Sequence, residues 1–338
     1  MNKGFVFGKF LPFHKGHEAM IRFALSQCDY LSVLVCASDK EAICGEKRKN
    51  WIEKTFENVD NIEILVFDYN ESEYPNSSES SRDISKKWAE VFSLFFSDYT
   101  KVITSEQYGY YVAEYMGIEH ILFDTDRNIV PVAASKIRAD LFTYWKYLPE
   151  AVKPDMAIKI VILGTESTGK TILTEKLSKH YNCTAVFEAG RDLIPDSTDF
   201  SFNDLYLVAE EHARRIGNAE KGDSPLLIID TDIHITKSYG YFSFDKELQV
   251  DKNTYEKNMA DLYLYLNNDV KYVQDGTRMS EKERNKLDLS HRKTLSEHNI
   301  PIVEITGNWD ERFEKAIMEI NKLIEKRAAD IKNWLKQN

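Results

Sequence analysis

Each half of the chain begins with an apolar run that leads through a glycine-containing turn into a segment with helical periodicity. The first turn is Gly8-Lys9-Phe10-Leu11-Pro12-Phe13-His14-Lys15-Gly16-His17, and the second is Gly164-Thr165-Glu166-Ser167-Thr168-Gly169-Lys170-Thr171. Such a turn places backbone N–H groups and the positive end of a helix dipole at one point, which suits a phosphate group. The sequence therefore predicts two α/β units, each with its own phosphate site.

Strand-like and helix-like segments alternate along the whole chain. The predicted strands are Gly4–Phe10, Tyr30–Ala37, Ile62–Phe67, Lys101–Thr104, Ile158–Leu163, Thr184–Phe187, Leu226–Ile229, Leu262–Leu266 and Ile302–Ile305. The predicted helices are His17–Cys28, Arg48–Asn58, Asp83–Phe96, Tyr108–Met116, Ser135–Trp145, Lys170–Tyr181, Phe202–Ala219, Ser280–His298 and a long amphipathic C-terminal helix. Continuous apolar strands between helices indicate parallel sheets covered on both faces. We therefore predict an α/β protein with domains at residues 1–150 and 157–338 and a proline-flanked linker at 149–157.

Composition narrows the class of protein. A chain of 338 residues is long enough for two domains, and its net charge of −11 argues against nucleic-acid binding, which needs many Lys and Arg contacts to phosphate. No apolar run is long enough to span a bilayer, so no membrane insertion is expected. The four cysteines have no C-x-x-C spacing and are expected to be reduced thiols of a cytoplasmic protein.

The second turn matches the pattern G-x-x-x-x-G-K-[ST] between a strand and a helix. Its residues are therefore predicted to bind a nucleotide: Gly164, Thr165, Glu166, Ser167, Thr168, Gly169, Lys170 and Thr171. Lys170 supplies positive charge to the β- and γ-phosphates, and the Thr171 hydroxyl is a ligand for Mg²⁺. The alternative is an ordinary glycine-rich turn.

Charged residues downstream fit phosphoryl transfer. Asp230 ends an apolar strand, where it is predicted to bind metal together with Thr171. Candidates for the general base are Glu188, Asp192, Asp230 and Asp232, and the sequence does not choose among them. Arg191 and Asp232 join Glu188 as candidate substrate ligands, and Arg278 precedes a charged helix that would suit a lid. Each residue alone is equally typical of a surface or cap position.

In the first turn, His14 and His17 stand three residues apart at a helix start, so they share one face. Imidazole N–H groups there would donate to an α-phosphate, alongside the backbone of Gly8, Lys9 and Phe10. A metal site and a helix cap are the alternatives. Farther on, Ser135, Lys136 and Arg138 open another helix, either as further triphosphate ligands or, for Ser135, as a plain N-cap.

These motifs together resemble a known family. The pattern G-x-F-x-P-x-H-x-G-H followed by Ser135–Arg138 is similar to the nucleotidylyltransferase superfamily. Its fusion through residues 142–154 to a Walker A domain resembles the bifunctional NadR-type proteins, as do the segments 187–192, 229–232 and 275–278. The resemblance covers nearly the whole chain.

The resemblance implies an N-terminal Rossmann-like nucleotidylyltransferase domain and a C-terminal P-loop kinase domain. The second would phosphorylate nicotinamide riboside with ATP to give nicotinamide mononucleotide (NMN), and the first would join NMN to the adenylyl group of another ATP, giving NAD and pyrophosphate. ATP is then a co-substrate, Mg²⁺ the cofactor, and a homo-oligomer the default assembly. The resemblance adds Thr104, Ser105 and Glu106 and, more weakly, Arg48 to the adenylyl site.

Three departures from the family pattern affect these expectations. Some members begin with a helix-turn-helix and repress transcription; this sequence starts at the first strand, so that role is not expected. Members often place a Trp in the helix after the long loop, where this chain has Ser85, with Trp88 one turn later as the substrate-binding candidate. The segment 133–138 also carries fewer hydroxyls than usual.

Two other functions remain open at this stage. The same two reactions could act on a different vitamin-derived nucleotide, as in pantetheine-phosphate or flavin pathways. Alternatively, the chain could be a nucleotide-sensing binding protein with one half catalytically silent. Analysis of the products formed from nicotinamide riboside and from NMN distinguishes these hypotheses.

Overall fold

A computed structural model describes residues 1–75, 81–194, 199–273 and 279–336. The chain divides into two compact units, Met1–Lys153 together with the end of the chain from Ala328, and Pro154–Arg327. Each unit contains one sheet of five parallel strands, with helices between successive strands. The two-unit α/β architecture agrees with the alternation of apolar strands and helices in the sequence.

The first unit has the strand order β3-β2-β1-β4-β5. Its elements are β1 (Lys3–Gly8), α1 (Lys15–Leu25), β2 (Tyr30–Ser38), α2 (Gly45–Thr55), β3 (Ile62–Tyr69), α3 (Arg82–Phe95), β4 (Lys101–Thr104), α4 (Tyr108–Met116), β5 (Glu119–Leu122), α5 (Ala134–Ala139), α6 (Leu141–Tyr144) and a 3₁₀ turn (Trp145–Tyr147). The strand order reverses beside the central β1. A ligand crevice is expected at that switch point, outside the carboxyl end of the strand, and the first glycine-containing turn begins there.

The second unit has the strand order β10-β9-β6-β8-β7. Its elements are α7 (Lys153–Met156), β6 (Ile158–Leu163), α8 (Lys170–Tyr181), β7 (Thr184–Val186), α9 (Gly190–Leu193), α10 (Phe202–Ala219), β8 (Leu226–Asp230), α11 (Ile233–Phe244), α12 (Lys252–Asn258), β9 (Leu262–Leu266), α13 (Glu281–Glu297), β10 (Ile302–Ile305) and α14 (Trp309–Lys336). The central β6 is flanked by β8 and β9 and leads directly into the second glycine-rich turn.

Most predicted elements are confirmed, and several are wrong or missing. The predicted helix Ser135–Trp145 is wrong, because the chain leaves helical geometry at Asp140, whose carboxylate caps α6 through the Thr143 N–H. The short strand β5 was not predicted, since EHIL shows neither alternation nor a continuous apolar run. Helix α11 was not predicted either; it is buried on most of its surface and therefore lacks a polar stripe.

The C-terminal helix α14 is confirmed as amphipathic. Its apolar residues belong to or pack on the core on one face of the second sheet, namely Phe313, Ile317, Ile320 and Ile324. Among the residues that the structure describes, no helix combines the length and the apolar character needed to cross a membrane.

Candidate active sites

The first candidate site is a cavity of about 320 Å³ at the carboxyl end of β1. The sequence-predicted residues that line it are Gly8, Lys9, Phe10, His14, His17, Thr104, Ser105, Glu106, Ser135 and Arg138. Lys136 lies exposed on α5 and is not among the lining residues, and Arg48 is fully buried beside the cavity. The fold thus brings together segments from three separate connections, those that follow β1, β4 and β5.

His14 lines the cavity and is also a helix cap, which the sequence offered as one alternative. Its backbone is extended and its Nδ1 accepts the N–H groups of Gly16 and His17 at 3.1 and 3.3 Å, so it is the N-cap of α1. An accepting Nδ1 places the proton of a neutral imidazole on Nε2. The same ring stacks on that of His17, with centroids 3.7 Å apart. The cap therefore orients His14 as a donor through Nε2.

Both imidazoles are held in the neutral form. Burial lowers the pKa of His14 to about 3, and the nearby Arg127 and Arg138 cations add to that shift. Burial also lowers the pKa of His17 well below its usual range, with His14 and the same two arginines contributing. Positive charge at this site therefore comes from Lys9, Arg127 and Arg138, while the neutral imidazoles offer N–H groups.

The buried His14 predicts a loss of stability in acid. Because its pKa is about 3 when folded and 6.5 in the unfolded reference, the unfolded chain binds the extra proton between these values. The free energy of unfolding therefore has its full value, as far as His14 is concerned, above pH 6.5. It decreases as the pH falls, by about 2 kcal/mol between pH 7 and pH 5. His14→Asn keeps a capping acceptor but cannot titrate. Urea unfolding at both pH values should show a smaller pH dependence in the variant; an unchanged dependence would contradict this assignment.

A second, smaller cavity of about 110 Å³ adjoins the first. It is lined by aromatic residues from β3, α3 and α4, namely Tyr69, Trp88 and Tyr108, and also by Ser85. Trp88 meets Tyr69 edge to face, with centroids 5.0 Å apart. Since Ser85 and Trp88 line the same space, the aromatic ring is present although it stands one turn later on α3 than in the family pattern. Tyr69 and Tyr108 were not predicted.

The glycine-rich turn of the second unit has the geometry of a phosphate-binding loop. Gly164 and Gly169 have φ of +140° and +87°, which favour glycine, and Ser167 has φ of +60°. The Lys170 ammonium, only 7% exposed, folds back to the Thr165 carbonyl at 3.2 Å, at the start of α8. Backbone N–H groups, the helix N-terminus and one lysine thus converge on the same point.

Thr171 and Asp230 form a pair suited to a divalent cation. The Thr171 hydroxyl donates to Asp230 Oδ2 at 2.6 Å. Asp230 is fully buried, and its Oδ1 accepts no hydrogen bond from the residues that the structure describes. Burial and the nearby Glu188 raise the pKa of Asp230, against the opposing charge of Lys170. In the described part of the chain, no cluster of three His, Cys, Asp or Glu side chains offers a complete metal cage. An oxygen pair completed by phosphate and water is the arrangement that Mg²⁺ favours.

The other predicted carboxylates separate into different environments. Glu188, at the end of β7, is half-buried and lies 3.6 Å from Arg191 Nε. Asp192 is exposed and pairs with Arg215 at 2.7 Å. Asp232 is fully buried, caps α11 through the N–H groups of residues 234 and 235, and contacts the imidazole of His234 at 2.5 Å. Its carboxylate is thus enclosed and engaged in capping α11, and the predicted substrate contact stays a prediction.

Arg278 lies outside the described residues, so its position is not part of the structure. The described residues on either side of it, Val273 and Met279, are hydrogen-bonded to the glycine-rich turn. The Val273 N–H donates to Ser167 Oγ at 2.9 Å, and the Met279 N–H donates to Glu166 Oε2 at 3.1 Å. Val273 and Met279 therefore both lie beside the phosphate-binding loop.

Sequence reasoning missed the support beneath that loop. The buried Arg312 guanidinium donates to the carbonyls of Thr168, Asn267 and Gly307, and it pairs with Asp269. The ring of Trp309 covers Gly169 so closely that a Cβ there would lie 2.3 Å from it. Arg127, which lines the first cavity, was also missed, because it follows the unpredicted strand β5.

Parts of both units match known domain families, and nearly the whole chain matches known proteins. Residues 6–78 match the citrate lyase ligase C-terminal domain, and residues 159–312 match an AAA domain. The trifunctional NAD biosynthesis/regulator protein NadR of Escherichia coli is 30% identical across 95% of this chain and 83% of its own length; that of Salmonella typhimurium is 28% identical across 96% and 83%.

Solved structures share the fold. A NadR protein in complex with NR has a TM-score of 0.68 at 20% identity and covers 95% of this chain, which covers 96% of it in turn. A NadR protein with NAD and AMP-PNP has a TM-score of 0.65 at 19% identity, with coverage of 97% and 96%. Because its sequence is 30% identical to that of the Escherichia coli NadR protein over nearly its whole length, this chain belongs to the NadR family.

Proposed function

We propose that this chain carries out two consecutive steps of NAD salvage in the cytoplasm, one in each unit. The second unit, in residues 157–338, transfers the γ-phosphoryl group of ATP to the 5′-hydroxyl of nicotinamide riboside, giving NMN and ADP. The first, in residues 1–150, joins NMN to the adenylyl group of a second ATP, giving NAD and pyrophosphate. The observation that carries the proposal is the coexistence of two intact phosphate sites, built around His14 and Lys170, in a NadR-family chain.

In the first unit, the larger cavity would hold ATP and the smaller one NMN. The nicotinamide ring would lie against Trp88 between aromatic walls, and the triphosphate would face His14, His17 and Arg138. The NMN phosphate oxygen attacks the α-phosphorus and pyrophosphate leaves. Neutral imidazole N–H donors and the Arg138 cation stabilise the charge that builds up on the phosphates.

In the second unit, the riboside hydroxyl attacks the γ-phosphorus of ATP held by the glycine-rich turn. Thr171 and Asp230 would hold Mg²⁺, which neutralises charge on the β- and γ-phosphates when bound. Glu188 is the base that we favour among the four candidates, because Asp192 is turned to Arg215, Asp232 is enclosed and Asp230 is engaged by Thr171. We keep Arg278 as the residue that stabilises the transferred phosphoryl group.

The assignment is tested by supplying each substrate separately. The protein is incubated with Mg-ATP and either nicotinamide riboside or NMN, and the products are separated by chromatography. We expect NMN from the riboside and NAD from NMN. Tight nucleotide binding without turnover of either substrate would favour a nucleotide sensor, and turnover only with another vitamin-derived nucleotide would favour a different pathway.

Trp88 should control affinity for NMN. Trp88→Ala removes the stacking surface, which is worth about 1–3 kcal/mol for an aromatic base, so we expect KM for NMN to rise about tenfold or more with little change in KM for ATP. Leu94→Ala, on the exposed side of the same helix α3, is the matched control. Steady-state kinetics of NAD formation give KM for NMN in both variants. Equal values would show that Trp88 does not contact NMN.

A further inference from the structure

A buried carboxylate connects two cations at the base of the first site. Glu41 lies between Lys9, at 2.9 Å from its Oε1, and Arg48, at 2.7 Å from its Oε2. The Ser38 N–H also donates to Oε2 at 3.1 Å. The side chains of Glu41 and Arg48 are 1% and 0% exposed, whereas that of Lys9 is 27% exposed. Within this trio, therefore, only Lys9 faces a ligand.

Lys9 occupies the place where the two cavities of the first unit meet. It lines both of them, together with Phe7, Gly8 and Tyr108. If NMN fills the smaller cavity and ATP the larger one, the attacking phosphate and the α-phosphate meet there. An ammonium group at that junction would reduce the repulsion between the two anions and stabilise the charge developing between them.

The same trio fixes the backbone and the side chain of Lys9. Arg48 donates a hydrogen bond of 2.7 Å to the Lys9 carbonyl, while its guanidinium pairs with the carboxylate that holds the Lys9 ammonium. A flexible lysine is thereby confined at both ends. Confinement of this kind matters because catalytic contributions fall steeply when a charged group is misplaced.

We propose that Glu41 is a positioning residue for adenylyl transfer, holding the Lys9 ammonium at the junction of the two substrate cavities, with Arg48 balancing its charge. The inference rests on the proposed adenylyltransferase function and adds a residue that contacts neither substrate. Its effect passes through Lys9, so removal of Glu41 should matter only while Lys9 is present.

A double-mutant cycle on the full-length protein tests this. The variants are Glu41→Gln, Lys9→Met and the two combined, with kcat and KM for NAD formation from NMN measured for each. We expect kcat to fall about 10²-fold in Lys9→Met, as for loss of one donor to a developing anion. Glu41→Gln should lose about 10- to 30-fold, within the range for a misplaced catalytic group. The double variant should match Lys9→Met.

A purely structural role predicts a different pattern. Glu41→Gln would then cost the same factor in the Lys9→Met background as in wild type, and that additivity would overturn the proposal. If Glu41→Gln does not fold, Glu41→Asp takes its place in the cycle; it keeps the charge that Arg48 requires but withdraws the carboxylate from Lys9. A wild-type rate in the folded Glu41 variant overturns this inference alone, whereas a wild-type protein that makes no NAD overturns the proposed function.

Discussion

Replacing Lys170 by alanine is expected to lower the rate of riboside phosphorylation about 10³-fold, because the phosphate-binding loop loses the ammonium that neutralises the β- and γ-phosphates. Adenylylation of NMN by the same protein should be unchanged. Lys170 belongs to the second unit, and its ammonium donates to the Thr165 carbonyl of the same loop. Separate chromatographic assays of NMN and NAD formation measure both rates on one preparation.

Lys179→Ala is the matched control for Lys170. It removes the same positive charge from the same helix, α8, but its side chain is 80% exposed and pairs only weakly with Glu175, at 4.0 Å. We expect both activities to survive in this variant. If Lys170→Ala silenced NAD formation as well, in a protein that unfolds like wild type, the two activities would share one site and the model would be wrong.

His17→Ala should have the opposite effect on the two activities. The imidazole lines the larger cavity and stacks on His14, so its removal takes away one N–H donor and loosens the neighbouring one. Loss of a positioned donor to a developing oxyanion costs about 10²–10³-fold, and we expect NAD formation from NMN to fall by that factor. Riboside phosphorylation should continue at the wild-type rate.

Arg22→Ala provides the control on the same helix, α1. Arg22 points to solvent, more than half exposed, and pairs with Glu18. Its loss should leave both rates intact. Equal NAD formation by His17→Ala and Arg22→Ala would show that His17 serves only to build the aromatic cluster with Phe10 and Phe13, and the triphosphate site would have to be reassigned.

The parts of each site that local sequence determines were predictable. The loop around Lys170 and the turn around His14 combine glycine positions, a preceding strand and a following helix within a few residues. Asp230 was predictable because an apolar strand ends on it, and parallel strands deliver such residues to one edge of the sheet. These residues need no knowledge of the rest of the fold.

Residues that depend on contacts between distant segments were not predictable. Glu41 lies in a polar stretch of sequence that matches no motif. Its ion pairs with Lys9 and Arg48 form only when the fold brings the end of β1 and helix α2 close to it. The capping role of Asp232 could not be predicted either, because it depends on the unpredicted helix α11. Arg312 donates a hydrogen bond to the Thr168 carbonyl of the phosphate-binding loop, although the two residues are 144 positions apart in the sequence.

Isotope labelling is the most direct test of whether this chain consumes two ATP molecules in sequence. Wild-type protein is given nicotinamide riboside with ATP labelled at either the γ- or the α-phosphorus, and the NAD formed is cleaved at its pyrophosphate. We predict that γ-label appears in the NMN fragment and α-label in the AMP fragment. Labelled NMN without NAD, or NAD whose NMN fragment carries no γ-label, would contradict two consecutive reactions in this chain.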